Sequence, residues 1–140
     1  MATHRIVSYL RASYIFNQYF NHDSQPPNIW LGVTAENQEQ YNKRILVLLT
    51  TPAAIRFVSI EPMLGPIELR PKLPYLNWVI VGGETGPKAR PAQLEWVDDI
   101  RHNCSCADVP FFFKGWGKHI PAGQKNKYCL YGIEYKEFPE

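Results

Sequence analysis

The sequence predicts an α/β fold with a parallel sheet, and two observations predict it. Short, nearly continuous apolar runs recur along the chain, the composition expected of strands buried on both faces. Between them lie stretches whose apolar residues fall at three- and four-residue steps, as on one side of a helix. Strands that alternate with crossover helices run parallel, because only a crossover returns the chain to the same end of the sheet, and such crossovers are right-handed. An open doubly wound sheet and part of a barrel both satisfy that rule.

Taken in order, the stretch from His4 to Phe20 sets Ile6, Val7, Leu10, Tyr14 and Ile15 at helical steps without Pro or Gly, which predicts an amphipathic helix. Residues Asn21 to Pro27 supply loop chemistry. The run from Asn28 to Thr34 (NIWLGVT) reads as the first strand. Gln38 to Leu49 then places Tyr41, Ile45, Leu46 and Leu49 on one stripe and stops at Thr50, Thr51 and Pro52, as a crossover helix would. Ile55 to Ile60 (IRFVSI) is β-branched and aromatic, and Glu61-Pro62 closes it, because proline removes a backbone donor. Pro66, Pro71 and Pro74 make the stretch from Met63 to Asn77 an ordered excursion rather than a long helix.

Trp78 to Val81 (WVIV) is the third predicted strand and runs into Gly82-Gly83-Glu84 and the turn-rich segment from Thr85 to Pro91. A helix from Gln93 to Cys104 comes next, carried by Leu94, Trp96, Val97 and Ile100. Pro110 to Lys114 (PFFFK) is the fourth strand, leading into Gly115-Trp116-Gly117. In the tail, Lys127 to Phe138 alternates around Tyr131-Gly132, which predicts a small hairpin or an extended appendage. The expectation is one domain over residues 1–140: an N-terminal helix and loop (1–27), a β/α core (28–121) and a tail (122–140).

At 140 residues, 45% hydrophobic and 20% charged, the chain has the balance of one globular domain rather than a disordered segment. No apolar run approaches the roughly 18 to 20 residues needed to cross a bilayer, and the first residues lack an apolar signal core, so a cytoplasmic protein without a membrane partner is expected. The net charge of +2 is spread along a chain without a long block of either sign, so nucleic acid is not an expected partner. Cys104, Cys106 and Cys129 match neither a disulfide framework nor a paired zinc motif and read as reduced thiols. His4, His22, His102 and His119 show no metal-ligand spacing, and no residue is assigned to a metal.

The ionisable residues at the strand ends carry the chemical information. Glu36, Glu61 and Glu84 come just after the first three predicted strands, and Lys114 ends the fourth. In a parallel β/α sheet all carboxyl ends share one side, and ligands bind there. Distant residues of the chain therefore converge on one rim, able to bind an amine, a metal or a polar head group, to perturb one another for acid/base work, or to form a structural ion network. Gly82, Gly83 and Gly86 bracket Glu84, as a loop close to a ligand or a tight turn requires, but GGETG lacks the spacing of a dinucleotide-binding fingerprint. Arg90 has a planar fork suited to a carboxylate or phosphate, and Trp116 is suited to stacking on a ligand or to packing. The candidate rim is thus Glu36, Glu61, Glu84, Arg90, Lys114 and Trp116.

The segments NIWLGVTAENQ (28–38), TPAAIRFVSIEPMLGPIEL (51–69), WVIVGGETGPKARP (78–91) and VPFFFKGWGKHIP (109–121) resemble the phage-associated gp thirty-seven / gp sixty-eight family of unknown function. Members of that family look like radical SAM proteins, with a β/α barrel whose N-terminal half carries a three-cysteine motif for an iron–sulfur cluster. The resemblance implies that this chain is the C-terminal half only, a partial parallel β/α barrel of about four strands with crossover helices and a hairpin-like tail. It also places Glu36, Glu61, Glu84, Arg90 and Lys114 at family motif positions on strand ends. Without the cysteine trio, the expectation is a truncated, phage-related fragment that is not catalytic alone and needs no cofactor, the cluster and S-adenosylmethionine belonging to a complete member.

Half a barrel leaves edge strands and an inner apolar face to be covered by another chain or by the tail, so a homo-oligomer or a separately encoded N-terminal half is expected. The alternatives are a metal-assisted enzyme using Glu61 and Glu84, and a nucleic-acid-binding module using Lys43, Arg44, Lys88, Arg90 and aromatic residues.

Overall fold

The structure, a computed structural model, describes residues 5–8 and 29–140. In chain order they form β1 (Arg5–Ser8), β2 (Ile29–Thr34), α1 (Gln38–Thr50), β3 (Ile55–Ile60), a 3-10 turn (Leu73–Tyr75), β4 (Trp78–Gly82), α2 (Leu94–Ala107) and β5 (Phe111–Gly115). The five strands make one sheet in the order β1-β2-β3-β4-β5, and every neighbouring pair is parallel. The fold is mixed α/β, and its sheet has one strand more than the four expected.

The additional strand corrects the helix expected over residues 4–20. Arg5 aligns with Ile29 and Ser8 with Gly32, so this stretch is extended and joined to β2. Ile6 and Val7 are β-branched, and pairing with a distant strand outweighs a helical periodicity that they share with the residues after them. The rest of that expected helix and the loop after it, residues 9–27, lie outside the described residues.

Register shows how the sheet divides into two faces. Val33, Val58, Val79 and Phe111 form one row, and Gly32, Phe57 and Trp78 form the row beside it on the other face. The first face carries Leu31, Val33, Val58, Ile60, Val79, Val81, Phe111 and Phe113, buried with residues of both helices and of the 63–76 excursion in one core. The opposite face is aromatic: Phe57, Trp78 and Ile80 are buried, with Trp30 and Phe112 packed on them. An unreversed strand order whose described connections lie on one side has no topological switch point, the feature a doubly wound sheet requires.

Helix α1 begins at Asn37, whose side chain accepts a hydrogen bond from the Gln40 amide at 3.0 Å. Such a cap contributes about 1 kcal/mol, whereas each large apolar side chain taken from water contributes roughly 1.5–3 kcal/mol, so the buried Tyr41, Ile45 and Leu48 decide the helix's orientation. This corrects the stripe read from the sequence. Leu46 faces solvent at 55% exposure and Leu48 is fully buried, because steps of four and three residues from Tyr41 reach positions 45 and 48. In α2 the buried residues are Val97, Ile100, Asn103 and Cys104, and Asp108 closes the helix in a left-handed conformation. Burial pushes the Cys104 thiol up to about 12, which keeps it protonated and unreactive at neutral pH.

Between β3 and β4 the chain crosses without an α-helix, as its prolines predict. Met63, Ile67, Leu69, Leu73 and Leu76 are buried along it, so the excursion does the covering that a helix does elsewhere.

The tail closes one sheet edge. Leu130 and Ile133 exchange backbone bonds of 3.0 and 3.1 Å around Tyr131 and Gly132, both at positive φ, so of the hairpin and the extended appendage that the sequence allowed, the structure has the tight hairpin turn. The chain then runs antiparallel along β5, where Phe113 donates to the Tyr135 carbonyl at 2.9 Å and Glu137 donates to the Phe111 carbonyl at 3.3 Å. The Trp78 indole donates to the Glu137 carbonyl at 2.8 Å, and Phe138 stacks 5.1 Å from Trp78 and 5.3 Å from Phe112. Backbone groups on the outer side of β5 that would recruit another strand are thus occupied by the chain itself.

Candidate ligand rim at the carboxyl ends of the strands

The parallel sheet brings the predicted rim residues to one end, but each glutamate has a different cation. Only Glu61 and Lys114 meet directly across the sheet, with Lys114 Nζ donating to Glu61 Oε2 at 2.7 Å. Glu61 comes directly after β3 and Lys114 lies near the end of β5, and β4 passes between them. A glycine there leaves the pair room: a Cβ on Gly82 would lie 3.3 Å from both Glu61 Oε1 and Lys114 Cβ, so the pair would have to give slightly. The pair projects on the side away from the helices, above the aromatic face, and remains 36% and 48% exposed for Glu61 and Lys114 respectively. An ion pair so open to solvent contributes only about 0–1 kcal/mol, so a polar ligand displaces it at little cost.

Glu84 serves its own loop. Arg90 grips the carboxylate with Nε to Oε2 at 2.9 Å and Nη2 to Oε1 at 2.7 Å, and the Arg90 amide donates to Oε2 at 2.7 Å. These bonds, the side-chain ones foremost, hold the Glu84 carboxyl down at about 2. A depressed carboxyl stabilises the fold above its unfolded value near 4.5, and that contribution disappears as pH falls through about 2. Urea midpoints of wild type and Glu84→Gln are therefore expected to differ at pH 5 and to converge on acidification toward pH 2. A pH-independent difference would show that the carboxylate charge does not hold this loop.

Glu36 turns toward α1. Arg44 Nη1 lies 3.3 Å from Glu36 Oε2 and also donates to the Thr34 carbonyl at 2.7 Å, clamping the end of β2 to the helix. The Glu36 carbonyl accepts from the Leu64 amide at 2.8 Å, joining this loop to the one after β3. Trp116 is 1% exposed, donates its indole N–H to the Cys129 carbonyl at 2.9 Å, and sits edge-on to Phe113 with centroids 4.9 Å apart.

Sequence reasoning missed how tightly the β4 and β5 loops are joined. Gly83 donates to the Gly115 carbonyl at 2.8 Å and Lys118 to the Glu84 carbonyl at 2.9 Å. The Lys118 ammonium donates to the Pro87 carbonyl at 2.8 Å, and His119 Nε2 donates to the Ala89 carbonyl at 2.8 Å. Contact is so close that a Cβ on Gly83 would fall 2.0 Å from the Trp116 carbonyl oxygen, and one on Gly117 would fall 2.1 Å from that of Glu84. The glycines at 83 and 117 were the available signal, since two chains touch backbone to backbone only where side chains are absent.

Two sizeable clefts among the described residues lie elsewhere, toward the amino ends of the strands. One of about 620 Å³ is lined by Asn77, Arg101, Cys104, Phe111, Tyr135 and Glu137, between α2 and the tail. Another of about 610 Å³ lies beneath α1, beside Arg56 and Tyr75. Size alone does not choose a site in a parallel β/α layer, where loops at the carboxyl ends carry ligands and the opposite end carries stability. Among the described residues, no three His, Cys, Asp or Glu side chains converge as metal ligands. No helix among them is long and apolar enough to cross a membrane.

Fold and rim together define a mixed α/β protein with an all-parallel sheet and a polar carboxyl-end surface. The chain belongs to the family described as protein of unknown function (DUF5131), whose model matches residues 3–139. No curated protein and no solved structure matches it.

Proposed function

We propose that this chain is a ligand-binding half of a parallel β/α barrel, related to the phage-associated, radical-SAM-like family that its motifs resemble and not catalytic by itself. The unreversed parallel order with every described connection on one side supports the barrel reading, because such a sheet curls toward closure with its other face inside. The described cysteines do not suit an iron–sulfur cluster: Cys104 and Cys129 are buried, Cys106 is exposed, and no three donors converge. Cluster and S-adenosylmethionine would thus belong to a complete member, and in this chain the rim binds rather than reacts. A second copy or a separately encoded N-terminal half completes the layer, in the cytoplasm. The tail occupies the β5 edge, so closing the ring of strands there requires its displacement, and association that leaves the tail in place uses another surface.

The observation that carries the reading is the Glu61–Lys114 pair over Gly82, opposite charges side by side on the face away from the helices. An amine meets Glu61 and a carboxylate meets Lys114, so the fitting ligand is a small zwitterion such as an amino-acid moiety. Calorimetric titration with free amino acids is expected to show saturable binding that Lys114→Met and Glu61→Gln abolish. Unfolding free energy should change by less than about 1 kcal/mol in either variant. Equal binding by wild type and both variants would remove the site. Light scattering at micromolar concentration tests the assembly, and a monomer that fails to associate with an N-terminal half would remove that part.

A further inference from the structure

Two stretches of the chain hold basic residues without any carboxylate, although the chain as a whole has no long block of either sign. From Val109 to Ile133 the sequence carries Lys114, Lys118, Lys125 and Lys127 and no carboxylate, and from Thr85 to Leu94 it carries Lys88 and Arg90 and no carboxylate. The fold lays parts of these two stretches together as the β4 and β5 loops. Their carboxylate neighbours are already neutralised, Glu84 by Arg90 and Glu61 by Lys114. Among the described residues, Lys118 and Lys127 make no ion pair, and both line a cleft of about 430 Å³ with Thr85, Gly86, Pro87 and Gly117.

Much of the wall of this cleft is held in place before any ligand arrives, and the Lys127 ammonium lies 5.6 Å from the centroid of the Tyr128 ring. Lys118 is fixed at both ends, by its amide on the Glu84 carbonyl and its ammonium on the Pro87 carbonyl, with further ammonium protons still available. The Lys127 carbonyl accepts from the Trp116 amide at 2.9 Å, which brings a third segment of chain to the same place. Gly86 and Gly117 adopt positive φ, and their amides donate to no protein acceptor among the described residues. Two ammonium groups and unspent backbone amides on glycine turns are the donor set for an anion with several oxygens. The volume suits a small molecule.

We propose that the cleft between the β4 and β5 loops is a binding site for the phosphate group of a small phosphorylated ligand. It requires only the described loops, and it stands or falls separately from zwitterion binding at Glu61 and Lys114.

The test uses pyrophosphate as the probe, titrated calorimetrically at low ionic strength into the full chain. Saturable 1:1 binding is expected, weakened at least tenfold by combined Lys118→Met and Lys127→Met and unchanged by combined Arg70→Met and Lys72→Met. In NMR spectra of the wild type, pyrophosphate should move the Gly86 and Gly117 amide signals, a readout that does not depend on any variant folding. Absence of binding, or shifts confined to other residues, overturns the proposal. So does a single-stranded oligonucleotide that binds far more tightly than pyrophosphate with a steep salt dependence, which would make the surface a nucleic-acid track.

Discussion

Trp116→Ala is expected to lower the unfolding free energy by about 3–5 kcal/mol, the largest loss from any single side chain on the rim. The indole is 1% exposed and packs edge-on against Phe113, so truncation leaves a cavity under the β5 loop that its neighbours cannot close. It also strips the Cys129 carbonyl of its donor, and an unpaired buried acceptor adds about 1–3 kcal/mol to the loss. For a domain whose total stability is about 5–15 kcal/mol, the variant is marginal at 37 °C. The measurement is the urea midpoint with the slope held constant. A shift below about 1 kcal/mol, with ligand affinity lost instead, would show that Trp116 stacks on ligand rather than carrying the loop.

Removing residues 134–140 is expected to have the second largest effect, and on two observables at once. The tail's bonds to Phe111 and Phe113 satisfy the outer edge of β5, and its loss leaves that edge open as a template for another chain. Trp78 loses the Glu137 carbonyl that accepts its indole proton, and the aromatic face loses Phe138. The truncated chain should melt lower and form larger particles in light scattering as concentration rises, beyond any assembly of the intact chain. If its size distribution and melting temperature match those of the intact protein, the tail is dispensable and the β5 edge is protected by other means.

Most of the sheet could be read from composition because each strand's own residues decide it. IRFVSI, WVIV and PFFF are too apolar to sit anywhere but inside, and the gaps between them are long enough for crossovers. Arg5–Ser8 escaped that reading because four residues with two β-branched members fit a helix or a strand equally. Only pairing with β2, a strand distant in sequence, settles the choice. The rim was legible as a set of strand ends but not as a set of pairs. Which cation answers which glutamate depends on where loops turn: Arg90 curls back on Glu84 from six residues on, whereas Lys114 reaches Glu61 across fifty-three.

By itself, then, the sequence determined an α/β chain with four buried strands, a proline-laden crossover and a turn at Tyr131-Gly132, since hydrophobic runs and turn residues act over a few positions. Tertiary structure alone decided that β1 joins the sheet and that the tail seals β5. It also decided that Gly82 clears a space for Glu61 and Lys114, and that scattered lysines gather beside a cleft. Those outcomes depend on distances between residues far apart in the chain, and such distances exist only once the backbone has closed its loops.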